Sequence, residues 1–107
     1  MTLDQALRQL IEYEDDIESA YVVLASQRER TLMPFKLSKS HLIKVLAKFL
    51  NGDITSDDLS LWATIVDNQS NIDSHEIEDY LFALNNEEMM GDITKETIAR
   101  MYTLLSE

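Results

Sequence analysis

Apolar residues in the first part of the chain recur at helical spacing. Leu3, Leu7, Leu10, Ile17, Tyr21 and Leu24 fall three, four or seven positions apart, while Glu12, Asp15, Asp16 and Glu18 occupy the other side. This is the pattern of an amphipathic helix that turns one stripe to a core. Thr2 and Gln5 stand at the spacing of a capping box, in which the threonine oxygen accepts from the backbone N–H three residues on and the glutamine reaches back. The pattern predicts one long helix from Leu3 to Ala25, with Glu14 and Asp15 as the point where it would break. Arg28, Arg30 and the lone Pro34 then mark a connection, because proline disfavours helical geometry at the residue before it.

A second helix is expected to begin near Ser38 or Ser40, with Leu42, Ile43, Val45, Leu46, Phe49 and Leu50 inward and Lys39, Lys44 and Lys48 outward. Asn51-Gly52 ends it, since glycine takes the left-handed conformation without a Cβ penalty. The tetrapeptide Gly-Asp-Ile-Thr follows at 52–55 and recurs at 91–94, so both glycines of the chain stand in the same context. With Thr55 as N-cap, Asp58 falls at the capping-box position, Asp57 in the first turn and Ile54 opposite Leu59 as a hydrophobic staple. The second copy puts Ile93, Thr94 and Ile98 in the same roles, with Glu96 in the first turn. A degenerate third copy places Ile72, Asp73, Glu76 and Ile77 there.

These starts predict helices over roughly 56–67, 74–84 and 95–105, with Asn85 to Met90 as a loop or single turn. No stretch alternates apolar and polar residues as a half-buried strand would. The staples are 18 and 21 residues apart, shorter than the usual periods of helical repeats. The expected fold is therefore all-α: a compact single-domain bundle of about five to seven helices spanning residues 1–107.

Charge sharpens this picture. The net charge is −11 over 107 residues, and it is unevenly placed. Residues 1–26 carry six acids and one base, residues 27–50 one acid and six bases, and residues 51–94 eleven acids and no base. A stretch of that kind is a poor match for nucleic-acid phosphates and a good one for a basic protein. The chain has no cysteine, which excludes disulfides, thiolate metal sites and cysteine nucleophiles and suits a reducing, cytoplasmic location. No apolar run approaches a membrane span and no secretory leader is visible. The expectation is a cytoplasmic protein with no direct nucleic-acid or membrane partner.

Catalytic and metal-binding patterns are weak. Aligning Gly52 or Gly91 with the glycine of a calcium-binding EF-hand loop puts Ala47 and Phe49, or Met90 and Thr97, at ligand positions. The acidic run from Asp67 to Glu78 puts Ile72 where that glycine must be. His41 and His75 are isolated and read as solvated residues, and Asp15-Asp16 and Glu87-Glu88 are sequence neighbours that splay apart on a helix. No nucleophile motif or phosphate loop is present. The expectation is a non-enzyme with no metal and no cofactor. Trp62 and Met101 read as core, whereas the Met89-Met90 pair, in an acidic loop, is harder to place.

Two stretches carry a resemblance. "FLNGDITSDDLSLWATIVDNQSNID" and "IEDYLFALNNEEMMGDITKETIARMYTLL" resemble the small helical immunity proteins of bacterial contact-dependent growth inhibition systems. Their shared pattern is a helix ending in glycine, Ile-Thr with acids, Leu, Trp-Ala, an acidic loop, a leucine-rich helix and a final Ile-Thr-x-Glu helix start. The match spans residues 45–105. Where Asn68 or Gln69 stands, the family tends to have an acid. The resemblance implies an inhibitor that binds and neutralises one cognate toxin domain, often a nuclease with a basic groove, by covering its active site. The charge pattern nominates Asp57, Asp58, Asp67, Asp73, Glu76, Glu78, Asp79, Glu87 and Glu88 as partner-binding residues. The alternative reading is a helical adaptor or regulatory module that binds a basic or amphipathic peptide in a groove.

Overall fold

In the computed structural model, which describes residues 2–26, 35–69, 71–86 and 92–107, the helices follow the capping signals closely. α1 spans Leu3–Glu12, α2 Ile17–Ser26, α3 Lys39–Leu50, α4 Ser56–Asp67, α5 Glu78–Asn85 and α6 Lys95–Ser106. The connection around Arg28, Arg30 and Pro34, with Met33, lies outside the described residues, as do Glu87, Glu88, Met89, Met90 and Gly91.

The first predicted helix is two. Tyr13 takes a left-handed conformation at φ 51°, the one non-glycine residue with positive φ among the described residues. The Glu14 N–H bonds back to the Gln9 carbonyl at 3.1 Å, and the Asp16 N–H reaches the Gln9 side chain at 3.3 Å. The physical reason for the break lies in charge and packing. In one continuous helix Glu12, Glu14, Asp15, Asp16 and Glu18 would set like charges three and four residues apart, whereas the break places Asp16 and Glu18 at the positive start of α2, and the turn lets α2 fold back on α1 as a helical hairpin. Ala6, Leu7, Leu10 and Ile11 of α1 then share a core with Ile17, Ala20 and Leu24 of α2.

α3 closes as read. The Gly52 N–H donates to the Phe49 carbonyl at 3.0 Å and the Asp53 N–H to the Lys48 carbonyl at 2.9 Å, the paired bonds of a Schellman ending. Gly52 sits at φ +83° with open space around its α-carbon, so glycine is there for its backbone and for no close approach. Thr55 then caps α4. It accepts from the Asp58 N–H at 3.1 Å, and the Asp58 carboxylate accepts from the Thr55 N–H at 2.9 Å. Thr94 repeats the box with the Thr97 hydroxyl in place of a carboxylate.

The third staple is a partial miss. Asp73 accepts from the His75 N–H at 3.1 Å instead of capping an α-helix, and a 3₁₀ turn over His75–Ile77 precedes α5. A strand expectation also needs correction. Phe35–Lys36 (β1) and Ile72–Asp73 (β2) form a two-residue parallel pair, with Phe35 beside Ile72 and Lys36 beside Asp73. Two residues are too few to show alternation, and the pairing joins segments that are far apart in sequence. The pair ties the start of α3 to the start of α5, while the fold remains an all-α bundle.

The core is a single cluster built around Trp62, which is fully buried together with Leu7, Leu10, Leu42, Leu46, Leu59 and Leu81. Its indole Nε1 donates to the Leu10 carbonyl at 2.7 Å. α4 and α5 pack together, α6 packs on α3, and Met101 lies against the cluster as the spacing predicts. None of the described helices is long and apolar enough to cross a membrane.

Candidate functional site

The nominated acids of the base-free stretch occupy three places. Asp57 and Asp58 stand in the first turn of α4, Asp67 at its other end, and Asp73, Glu76, Glu78 and Asp79 on β2, the 3₁₀ turn and the start of α5. Asp57 and Asp67 are ten residues apart on one helix, about 15 Å along its axis. All of these are exposed except Asp58, which is half-buried. Glu87 and Glu88 lie outside the described residues.

Several carboxylates have local duties. Asp58 serves the α4 cap and Asp73 the turn before α5. Glu76 accepts from the Lys39 N–H at 2.9 Å and so caps α3, thirty-seven positions away in sequence. Glu78 meets His75 Nδ1 at 3.3 Å, so this histidine pairs with Glu78 and neither Glu76 nor Asp79. Asp57, Asp67 and Asp79 have no hydrogen-bond or ion-pair partner among the described residues. The other ion pair among those residues is Arg100 with Glu96 on α6. Hence no described acid between 51 and 94 is paired with a lysine or arginine.

The surface is not uniformly negative. Lys36 stands beside Asp73 in the parallel pair, and the Glu76 carboxylate is occupied by the Lys39 backbone N–H. Opposite charges at such spacing offset one another. The uncompensated negative field therefore comes from α4 and the α5 start, where the helices themselves carry no base. Position in the sequence alone does not separate these two groups.

The histidines have structural surroundings. His41 is half-buried, and its Nδ1 accepts from the Ser38 N–H at 3.1 Å, which closes the start of α3. The solvated reading of His41 is thus corrected: the ring works as a helix cap. No group of three or more histidine or acidic residues is arranged to hold a metal ion among the described residues.

Two half-buried tyrosines lie close to this region. Burial is the main cause that raises the Tyr21 phenol well above its ordinary value, with the neighbouring Tyr13 and the charges of Asp58 and Glu18 adding to it. The Tyr21 hydroxyl is enclosed without a partner of hydrogen-bond geometry. Burial and then Asp58 also raise Tyr13. At the α1–α2 turn, Glu14 is raised first by its hydrogen bond to the Glu12 carboxyl and then by loss of hydration.

Concavities are shallow. A cleft of about 490 Å³ at that turn is lined by Glu14, Asp15, Lys48 and Asp53, and one of about 280 Å³ by Arg8, Glu12, Lys36 and His41. A third, of about 200 Å³, runs between α2 and α4 and is mostly apolar. None of these three brings a nucleophile together with a base. No family model, curated protein or solved structure matches this chain.

Proposed function

We propose that this chain is an immunity protein that binds a cognate toxin domain, probing it with negative charge and covering its active site. The observation that carries the reading is the state of the acids between residues 51 and 94. Those described stand at the surface, and none is paired with a lysine or arginine. Helix capping accounts for Asp58 and Glu76 but not for Asp57, Asp67 or Asp79. A field of one sign accelerates encounter with a basic surface and rejects partners of like charge. It also resists self-association, as a monomeric inhibitor held ready for a partner requires.

The resemblance of residues 45–105 to contact-dependent inhibition immunity proteins supplies the partner class: a basic toxin domain, with a nuclease groove as the natural target for an acidic mimic of its substrate. The inhibitor itself performs no catalysis and needs no cofactor, and it acts in the cytoplasm. The test is protection. The reading expects a toxin gene immediately upstream: expression of its toxin domain should arrest growth, and co-expression of this chain should restore it while abolishing the domain's cleavage activity in vitro at equal molar amounts. Growth arrest that persists with the chain present in excess would overturn the proposal.

A further inference from the structure

α2 breaks the rule that a helix on a domain surface shows water a polar face. From Ser19 to Ser26 it holds no charged residue, and Val22 is 71% exposed. Its packing is chiefly on α1, which leaves its other flank facing α4 across the apolar cleft. Tyr21, Leu24 and Ala25 line one side of that cleft, and Thr64, Ile65 and Asn68 the other. Helical spacing extends both walls. Val22 lies one turn before Ala25, and Leu61, 50% exposed, lies one turn before Ile65.

Each wall continues into an acid at the same interval. Glu18 precedes Val22 by four residues, and Asp57 precedes Leu61 by four. Both are exposed, and neither has an ion-pair partner among the described residues. The two helix starts lie at one end of the cleft: Ile17, at the start of α2, shares a concavity with Asp53 and Ile54 just before α4, whereas Leu24 and Ala25 face Ile65 and Asn68 further along both helices. The feature is thus a groove with an apolar middle and an acidic end. A second copy of this chain is a poor occupant, since each copy carries a net charge of −11 and the two fields repel.

We infer that the α2–α4 groove, lined by Tyr21, Leu24, Ala25 and Ile65 and flanked by the exposed Val22 and Leu61, receives an amphipathic basic helix of the partner toxin domain. Apolar side chains of that helix fill the groove, and its lysines or arginines meet Glu18 and Asp57. This rests on the proposed function and deepens it by separating two roles. The wider acidic surface sets the rate of encounter, and the groove sets the lifetime of the complex, as buried apolar anchors inside a polar rim generally do.

The test uses two probes against the full chain: the upstream-encoded toxin domain, and a synthetic leucine–lysine amphipathic helix of about four turns. The variants are Val22→Ser with Leu61→Ser, and Glu18→Gln with Asp57→Asn. Leu104→Ser, at an exposed apolar residue on α6, serves as the control. The serine pair should weaken both probes at least about tenfold, through faster dissociation, at low salt and equally at about 0.5 M salt. The charge-neutral pair should act mainly at low salt. Unchanged circular dichroism and melting temperature keep loss of fold from mimicking loss of binding.

Toxin binding by the native chain that the serine pair leaves within about twofold would overturn the groove and spare the proposed function. A native chain that binds the peptide in a groove-dependent way but ignores the toxin would overturn the toxin as occupant and the function with it. Leu104→Ser weakening binding as much as the serine pair would also reject the assignment, as would a native dimer dispersed by Leu61→Ser.

Discussion

Replacing Trp62 with phenylalanine tests how the helices are held together. Trp62 is fully buried, and its indole N–H donates to the Leu10 carbonyl at 2.7 Å. Leu10 lies in the last turn of α1, where carbonyls lose their intrahelical partners. The N–H groups of Tyr13 and Glu14, which would otherwise approach it, both turn to Gln9. The indole is therefore the tertiary cap of α1. Removing it leaves a buried carbonyl without a partner, which costs about 1–3 kcal/mol. The smaller ring adds about 1 kcal/mol through unfilled space. A loss of about 3 kcal/mol is a large share of the roughly 5–15 kcal/mol available to a domain. It should lower the melting temperature by about 10–20 °C. Urea unfolding followed by far-ultraviolet circular dichroism should show a lower midpoint with an unchanged slope. A loss below about 1 kcal/mol would refute the view that this bond anchors α1 to α4.

Three further outcomes follow from the same geometry. Glu76→Ala removes the acceptor for the Lys39 N–H and should destabilise the chain by about 1 kcal/mol, measured by urea unfolding, with Glu76→Gln recovering about half. Gly52→Ala should cost about 1 kcal/mol through its φ of +83° alone, since a Cβ there meets open space; a cost several times larger would point to a contact the structure does not contain. Tyr21→Phe bears on pH. The folded-state phenol is raised above the ordinary value of 10.0, so its contribution is fully present below pH 10.0 and is lost as pH rises beyond it, because the unfolded chain ionises first. The variant should flatten the alkaline loss of stability and remove the last step of a tyrosine absorbance titration. An unchanged titration would contradict the burial of that hydroxyl.

What the sequence discloses depends on how far apart the partners are. Thr2 with Gln5, Thr55 with Asp58, and the glycine ending of α3 are bonds within three to five residues, so spacing and residue type suffice to find them. The third staple shows the limit. Ile72, Asp73, Glu76 and Ile77 obey the same local grammar, yet Glu76 serves the start of α3 because β1 and β2 bring the two segments together. A competitor thirty-seven positions away leaves no trace in local spacing. The break at Tyr13 was marked by the acids beside it but not decided by them, since a continuous stripe from Leu3 to Leu24 fits one helix as well as two.

The surface follows the same division. A base-free stretch is visible from composition, but Lys36, which stands beside Asp73, comes from β1, and the backbone N–H that occupies Glu76 comes from the start of α3, both outside the stretch. Asp73 and Glu76 thereby become the less available candidates, while Asp57, Asp67 and Asp79 keep their charge to themselves. The apolar face of α2 was hidden for another reason. Tyr21 and Leu24 mark its buried side, and only packing against α1 reveals that Val22 is left outside.

The claim that this acidic surface captures a basic toxin domain is tested most directly by association kinetics. Asp67→Lys, Glu78→Lys and Asp79→Lys combined should slow association with the upstream-encoded domain at least about tenfold at low salt. The gap between variant and native rates should close as salt approaches about 0.5 M, where charges at the surface are screened within a few ångströms. An association rate that the three reversals leave unchanged at low salt would contradict the account.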